Sequence, residues 1–211
     1  MIAIRQVRVH WQGIHFNLRF PPKAWRDSWS LFEIGRIEKL SFDRCVLTIR
    51  NLSKDGKSLH NQVSFVSLVH QPTVGRMGNM AESPPLPIPE IRMTRCIVRG
   101  QATMIRAKQV VPFQLNWDQG LFVSNERMVD AGGAPDRPKF EDGRAIDIRL
   151  QNVTVVADKG ICRLRMKADS PYQLDLFTNC TKCIFAIGKE AALYEYVGRE
   201  SADMVRKPSN I

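Results

Sequence analysis

One ten-residue frame recurs along this chain. Ile91-Arg-Met-Thr-Arg-Cys-Ile-Val-Arg-Gly100 and Leu115-Asn-Trp-Asp-Gln-Gly-Leu-Phe-Val-Ser124 both place apolar residues first and third, a small residue sixth and a second apolar run after it. The frame returns at Leu40-Ser-Phe-Asp-Arg-Cys-Val-Leu-Thr-Ile49 and Ile148-Arg-Leu-Gln-Asn-Val-Thr-Val-Val-Ala157, and more loosely at Leu174-Asp-Leu-Phe-Thr-Asn179. Like strands at long intervals can stack in parallel, about 4.8 Å apart, so that equivalent residues touch. The expected inward ladders are Leu40, Ile91, Leu115, Ile148, Leu174 and, two positions on, Phe42, Met93, Trp117, Leu150, Leu176.

The intervals test the repeat. Ile91 to Leu115 is 24 residues, Leu115 to Ile148 is 33, Ile148 to Leu174 is 26, and Leu40 to Ile91 is 51. The longest allows two repeats of about 25 residues or one repeat with insertions, and the second reading is preferred. Val63 to Val69 takes the part that Ala102 to Arg106 takes in the leanest repeat. A polar Asp-Gly turn within 51–62 and a proline-rich excursion at 71–90 account for the surplus.

The other segments fit between these frames. Val7 to Trp11 and Ile14 to Phe20 alternate apolar and polar residues, the period-two pattern of half-buried strands. His10-Trp-Gln-Gly-Ile14 matches Asn116-Trp-Asp-Gln-Gly-Leu121 one residue shorter, which makes it the first repeat. Pro21 to Asp27 reads as a loop, and Ser30 to Gly35 as a strand. In Cys162-Arg-Leu-Arg-Met-Lys167 the residues Cys162, Leu164 and Met166 face inward, and Arg163, Arg165 and Lys167 outward.

These readings predict an all-β, single-domain right-handed parallel β-helix, a β-solenoid of about six coils. It would span 1–198, with insertions at 51–62, 71–90 and 131–143 and a polar tail at 199–211. Handedness follows the usual chirality of parallel connections. The alternative is an antiparallel β-sandwich, whose strands would come at shorter intervals and need not resemble one another.

Cys96-Ile-Val-Arg-Gly-Gln-Ala-Thr-Met-Ile-Arg106 followed by Trp117-Asp-Gln-Gly-Leu-Phe-Val123 resembles the right-handed parallel β-helix of pectate-lyase-like proteins. More narrowly, it resembles the β-helical C-terminal region of many large serine/threonine kinases of planctomycete bacteria. Trp29 to Gly35, Asp43 to Ile49 and Gly188 to Gly198 fit the same pattern. The resemblance covers 7–198 and implies a fold and a multidomain signalling parent, of which this chain would be a fragment or paralogue. It implies no ligand. No Gly-rich phosphate loop, catalytic-loop Asp with trailing Asn, or Asp-Phe-Gly occurs, so no kinase activity carries over to any residue.

Composition narrows the classes. A chain of 211 residues that is 44% hydrophobic and 25% charged can build one substantial core. No run of 18 apolar residues occurs, so no transmembrane segment is expected. Met1 to Arg5 alternates like a strand rather than reading as a signal peptide, and the compartment stays unspecified. The net charge of +10 favours acidic partners, but the basic residues are dispersed. Without a recognised nucleic-acid module, nucleic acid is not the expected partner.

Candidate chemistry is sparse. Asp43 and Asp118 share a frame position, yet Thr94 and Gln151 hold it elsewhere, so no stacked acid cluster forms. The five cysteines do not read as a disulfide framework. Cys45 and Cys96, both sixth in their frames, read as small core residues. Cys180-Thr-Lys-Cys183 is the one Cys-x-x-Cys, but His10, His15, His60 and His70 lie far off in sequence. Simple alternation would put the two thiols on opposite faces. No catalytic residue, cofactor site or metal ligand is expected. The candidate binding face is basic: Arg92, Arg149, Arg163, Arg165 and Lys167, with Trp25 or Trp29 from nearby loops. It would take an acidic glycan, against the plain reading of a solvated surface.

The expected role is a non-catalytic scaffold or interaction module, binding an acidic glycan or another protein chain. The solenoid ends lack a covering helix and would allow self-association. The alternative is a carbohydrate-binding or polysaccharide-degrading protein, the latter requiring paired carboxylates.

Overall fold

The computed structural model describes residues 2–4, 8–20, 28–35, 37–69, 88–108, 111–134 and 145–198. The expected loop at Pro21 to Asp27, Trp25, His70, most of the 71–90 and 131–143 insertions and the tail at 199–211 lie outside them.

The strands form two parallel sheets. The seven-stranded sheet has the order β1 (Ile2–Ile4), β4 (Trp29–Ile34), β7 (Val63–Leu68), β9 (Thr103–Ala107), β11 (Val129–Gly132), β13 (Cys162–Arg165), β16 (Tyr194–Val197). The nine-stranded sheet contains β2 (Arg8–Gln12), β3 (His15–Arg19), β5 (Lys39–Asp43), β6 (Val46–Arg50), β8 (Glu90–Gly100), β10 (Phe113–Ser124), β12 (Ala145–Ala157), β14 (Asp175–Thr181) and β15 (Ile184–Ile187). The long strands β8 and β12 each face two short ones, β5 with β6 and β14 with β15.

This corrects the expected fold. The strands make two large parallel sheets of seven and nine members, not one closed right-handed β-helix of six coils. The likeness among frames reported only on neighbours within the nine-stranded sheet. The segments between frames build the second sheet from short, dissimilar strands, and likeness carries no information about how two sheets close on each other. Every pairing between named strands of the seven-stranded sheet is parallel, as on the other sheet, which also removes the antiparallel sandwich.

The ladders hold over most of their length. Leu40 pairs with Ile91, Ile91 with Leu115 and Leu115 with Ile148, and all four are buried. Phe42, Met93, Trp117 and Leu150 form the second row. Direct pairing of β5 with β8 makes the 51-residue interval a single repeat, and Asn51 closes its insertion: its side chain accepts from His60 N at 3.0 Å and donates to His60 O at 2.7 Å. The last rung differs from expectation. Thr178, not Leu174, pairs with Ile148, and Cys180, not Leu176, pairs with Leu150. An edge strand is covered on one side only, so its inward positions need not be apolar, and a match sought on apolar residues settles four residues early.

A single left-handed residue sits in the middle of each frame. Arg44, Arg95, Gln119, Asn152 and Lys182 have φ between +52° and +56°, and Gly13 has +67° at the equivalent place. One such residue reorients the chain, so the third and sixth frame positions both face inward instead of alternating. The two positions are matched in size. At Gly120 an added Cβ would stand 2.1 Å from Nε1 of Trp117, which is why the largest third residue is followed by no side chain at all. Phe42 and Met93 are followed by Cys45 and Cys96, and Leu150 by Val153.

One core joins the sheets. At its first end Trp11 of the nine-stranded sheet stacks on Phe32 of the seven-stranded sheet, centroids 4.9 Å apart, and Phe16 and Phe42 close the cluster. At the other end β14, β15 and β16 are edges, with Phe177, Ile184 and Tyr196 60%, 65% and 49% exposed.

Candidate binding groove

The inward rows of the nine-stranded sheet fix what its outer face presents. Between Leu40 and Phe42 and their equivalents runs the row His10, Ser41, Arg92, Asn116, Arg149, Asn179. Beside it, against the corner, runs Gln12, Asp43, Thr94, Asp118, Gln151, Thr181. On the other side runs Arg8, Lys39, Glu90, Gln114, Asp147, Phe177. Residues of all three rows line a groove of about 830 Å³ across β2, β5, β8, β10, β12 and β14.

Its charges are largely engaged with one another. Glu90 meets Lys39 at 2.8 Å and accepts from Asn116 Nδ2 at 3.1 Å. Burial pushes the Glu90 carboxyl up, but Lys39, Asn116 and Arg92 together hold it below the usual carboxylate range. Arg149 grips Asp147 through two bonds, at 2.6 and 3.2 Å. Arg95 Nη2 reaches Asp43 Oδ1 at 2.8 Å and Arg44 Nε reaches Oδ2 at 3.2 Å. Desolvation raises Asp43, and these two arginines more than offset it. Asp118 accepts a hydrogen bond from Asn152 Nδ2 at 3.3 Å.

Asp43 and Asp118 are two strands apart, about 10 Å by strand spacing, on the scale of paired hydrolytic carboxylates. Both oxygens of Asp43 are occupied by arginines and its proton is disfavoured. It is therefore poorly placed to serve as an acid or to activate water.

The five residues of the basic face do not form one strip. Arg92 and Arg149 lie in the groove, their side chains 59% and 64% exposed, on strands that flank Asn116. Arg163 and Arg165 belong to β13 in the other sheet, where both bond the buried Asp130. Lys167 follows them and makes an isolated bridge with Ser170. Trp29, expected to join this face from a loop, stands on β4 against Phe20. The neutral hydrogen-bonding residues Ser41, Asn116, Gln151, Asn179 and Thr181 were missed by a search for charge. Their signal was available: Ser41, Arg92, Asn116 and Arg149 all hold the second frame position.

The thiols need a correction too. Cys180 pairs with the buried Leu150, and Cys183 donates to Leu150 O at 3.4 Å. Both therefore take inward frame positions, because the left-handed Lys182 between them breaks the simple alternation. Among the described residues no group of three or more His, Cys, Asp or Glu could hold a metal ion, and no helix is long and apolar enough to cross a membrane.

Comparison with known proteins yields no relative: no family model, no curated protein and no solved structure matches the chain.

Proposed function

We propose that this chain is a non-catalytic binding module that holds an extended glycan across the outer face of the nine-stranded sheet. The observation that carries the reading is the groove itself, about 830 Å³ and floored by in-register rows in which Ser, Thr, Asn and Gln side chains alternate with Arg92, Arg149 and the hydrogen-bonded carboxylates Asp43 and Asp118. Regular rows of neutral hydrogen-bonding groups suit a polymer that repeats hydroxyls along its length. Arg92 and Arg149 are exposed but already face the carboxylates of Glu90 at 4.0 Å and Asp147 at 2.6 Å, so an acidic substituent would bind them by competing with those partners. The competing reading, a polysaccharide-degrading enzyme, is disfavoured by the two arginines that occupy Asp43.

The test is binding of the purified chain to acidic and neutral polysaccharides at low and high salt, with product analysis on every hit. Salt-sensitive binding of acidic polymers without cleavage is the expected result. Chain shortening would return the acids to the centre of the argument, and no binding at either salt would remove the glycan reading.

A second reading has one observation in its favour. The exposed apolar edge at β14 to β16 suits docking of a second copy, its β1 to β3 edge extending the parallel sheets. Light scattering over a concentration series decides it: a mass that stays at one chain sinks this reading.

A further inference from the structure

We propose that Cys180 and Cys183 are a thiol–disulfide exchange site that closes reversibly into an intrachain disulfide across the last corner of the nine-stranded sheet. In the inner frames the third and sixth residues are both on the inner side, with one left-handed residue between them. At Gly120 an added Cβ would lie 2.1 and 2.5 Å from Nε1 and Cε2 of Trp117, so the third side chain reaches over the sixth position. In the last frame the same two positions are Cys180 and Cys183, with Lys182 at φ +54° between them.

Cys183 keeps the hydrogen bonding of the other sixth-position thiols. It donates to Thr181 O at 3.3 Å and Leu150 O at 3.4 Å, as Cys96 does to Thr94 O at 3.2 Å and Phe42 O at 3.5 Å. What differs is the neighbour across the corner, which is a thiol in place of Phe or Met. The setting differs as well. Cys45 and Cys96 are wholly buried, whereas Cys180 is exposed on the edge strand β14. Burial, and then the proximity of Cys183, push the Cys180 thiol above its ordinary pKa, so exchange quickens as pH rises. Cys162, pushed up to about 12 by burial, takes no part.

The co-reactant is a small-molecule disulfide such as oxidised glutathione. The Cys180 thiolate attacks one of its sulfurs, forming a mixed disulfide and releasing one glutathione thiolate. The Cys183 thiolate then attacks the Cys180 sulfur, forming the Cys180–Cys183 bond and releasing the second. Two electrons pass from the protein dithiol to the glutathione disulfide. The two protein thiol protons end on the two glutathione thiolates.

The experiment equilibrates the full chain, dilute enough to be monomeric, with glutathione buffers of graded redox ratio. It then traps free thiols by alkylation and measures the peptide that holds both cysteines. The expected result is joint loss of both alkylation sites and a peptide lighter by two hydrogens, with Cys45, Cys96 and Cys162 alkylated only after unfolding. The Cys183→Ser variant should instead accumulate glutathione on Cys180. Persistent glutathione on Cys180 of the unaltered chain would overturn the proposal. So would a native chain that never oxidises at ratios that oxidise the urea-unfolded one.

Discussion

Asp130 and Arg163 stand opposite each other on β11 and β13, and the guanidinium holds both carboxylate oxygens, Nε to Oδ1 at 3.2 Å and Nη2 to Oδ2 at 3.1 Å. Arg165 Nε adds a bond to Oδ1 at 2.8 Å. Arg106, paired with Asp130 from β9 on the other side, brings its Nε to 3.6 Å from Oδ2. The Asp130 side chain is only 2% exposed, so a single buried carboxylate neutralises part of a three-arginine cluster. A charge that deep is tolerated only when paired.

Replacing Asp130 by Asn is expected to cost about 3–5 kcal/mol, because it leaves Arg106 buried without a counter-charge. Arg163→Ala removes one of three cations and is expected to cost about 1.5–3 kcal/mol, the range for hydrogen bonds to charged groups. Urea unfolding of the two variants checks the order. A smaller loss for Asp130→Asn than for Arg163→Ala would mean that the carboxylate does not organise the cluster.

The same cluster sets part of the acid limb of stability. Burial pushes the Asp130 carboxyl up, yet Arg163, Arg165 and Arg106 hold it below its ordinary 3.8. A folded-state pKa below the unfolded one gives stability that is complete above the unfolded value and is lost as pH falls through the folded one. The gap between the unaltered chain and Asp130→Asn is therefore expected to be constant near neutrality and to narrow as pH falls from about 5 through 3.8 and below. Unfolding free energies at a series of pH values measure it. A gap that narrows between pH 7 and 5 would place the effect elsewhere.

What could be read from the sequence follows from what repeats. The register of Leu40, Ile91, Leu115 and Ile148 was legible because one face of each strand is buried and a one-residue slip would turn it outward. So was the equivalence of Asp43, Thr94, Asp118 and Gln151. The corners were not legible. Of Gly13, Arg44, Arg95, Gln119, Asn152 and Lys182, only Gly and Asn carry a preference for positive φ. Without the corner, alternation placed Cys180 and Cys183 on opposite faces. Arg163 and Arg165 were correctly turned away from Cys162 and Leu164. Their partner lies 33 and 35 residues away on a strand of four residues that resembles no other, and no local pattern announces it.

The corner itself can be tested at Gln119, which is exposed with φ +56°. Holding an ordinary residue there costs about 1–2 kcal/mol, and glycine gives back about 0.5–1 kcal/mol of that through its looser unfolded chain. Gln119→Gly is therefore expected to stabilise by about 0–1.5 kcal/mol, the difference of those two terms. Gln119→Val should destabilise, since branching at Cβ is worst tolerated at positive φ. Thermal unfolding reads both. A glycine variant less stable than the valine one would mean that the side chain, not the backbone, holds this corner.

Arg92 and Arg149 stand in a different setting from the other basic residues of the expected face. They sit two strands apart, about 10 Å by strand spacing, and project into the groove, while Arg163 and Arg165 are committed to Asp130 on the other sheet. Arg92→Ala and Arg149→Ala should each cost no more than about 1 kcal/mol of stability, the range for exposed ion pairs such as those with Glu90 and Asp147. Each should weaken binding of an acidic polysaccharide about tenfold at low salt, the scale of one charge-assisted contact, and the deficit should shrink as salt screens the interaction. Arg165→Ala should do the reverse, lowering stability and leaving binding of the folded chain unchanged. Isothermal titration at two salt concentrations, paired with urea unfolding, distinguishes the faces. Equal binding losses in all three variants would mean that the ligand reads net charge and not the groove.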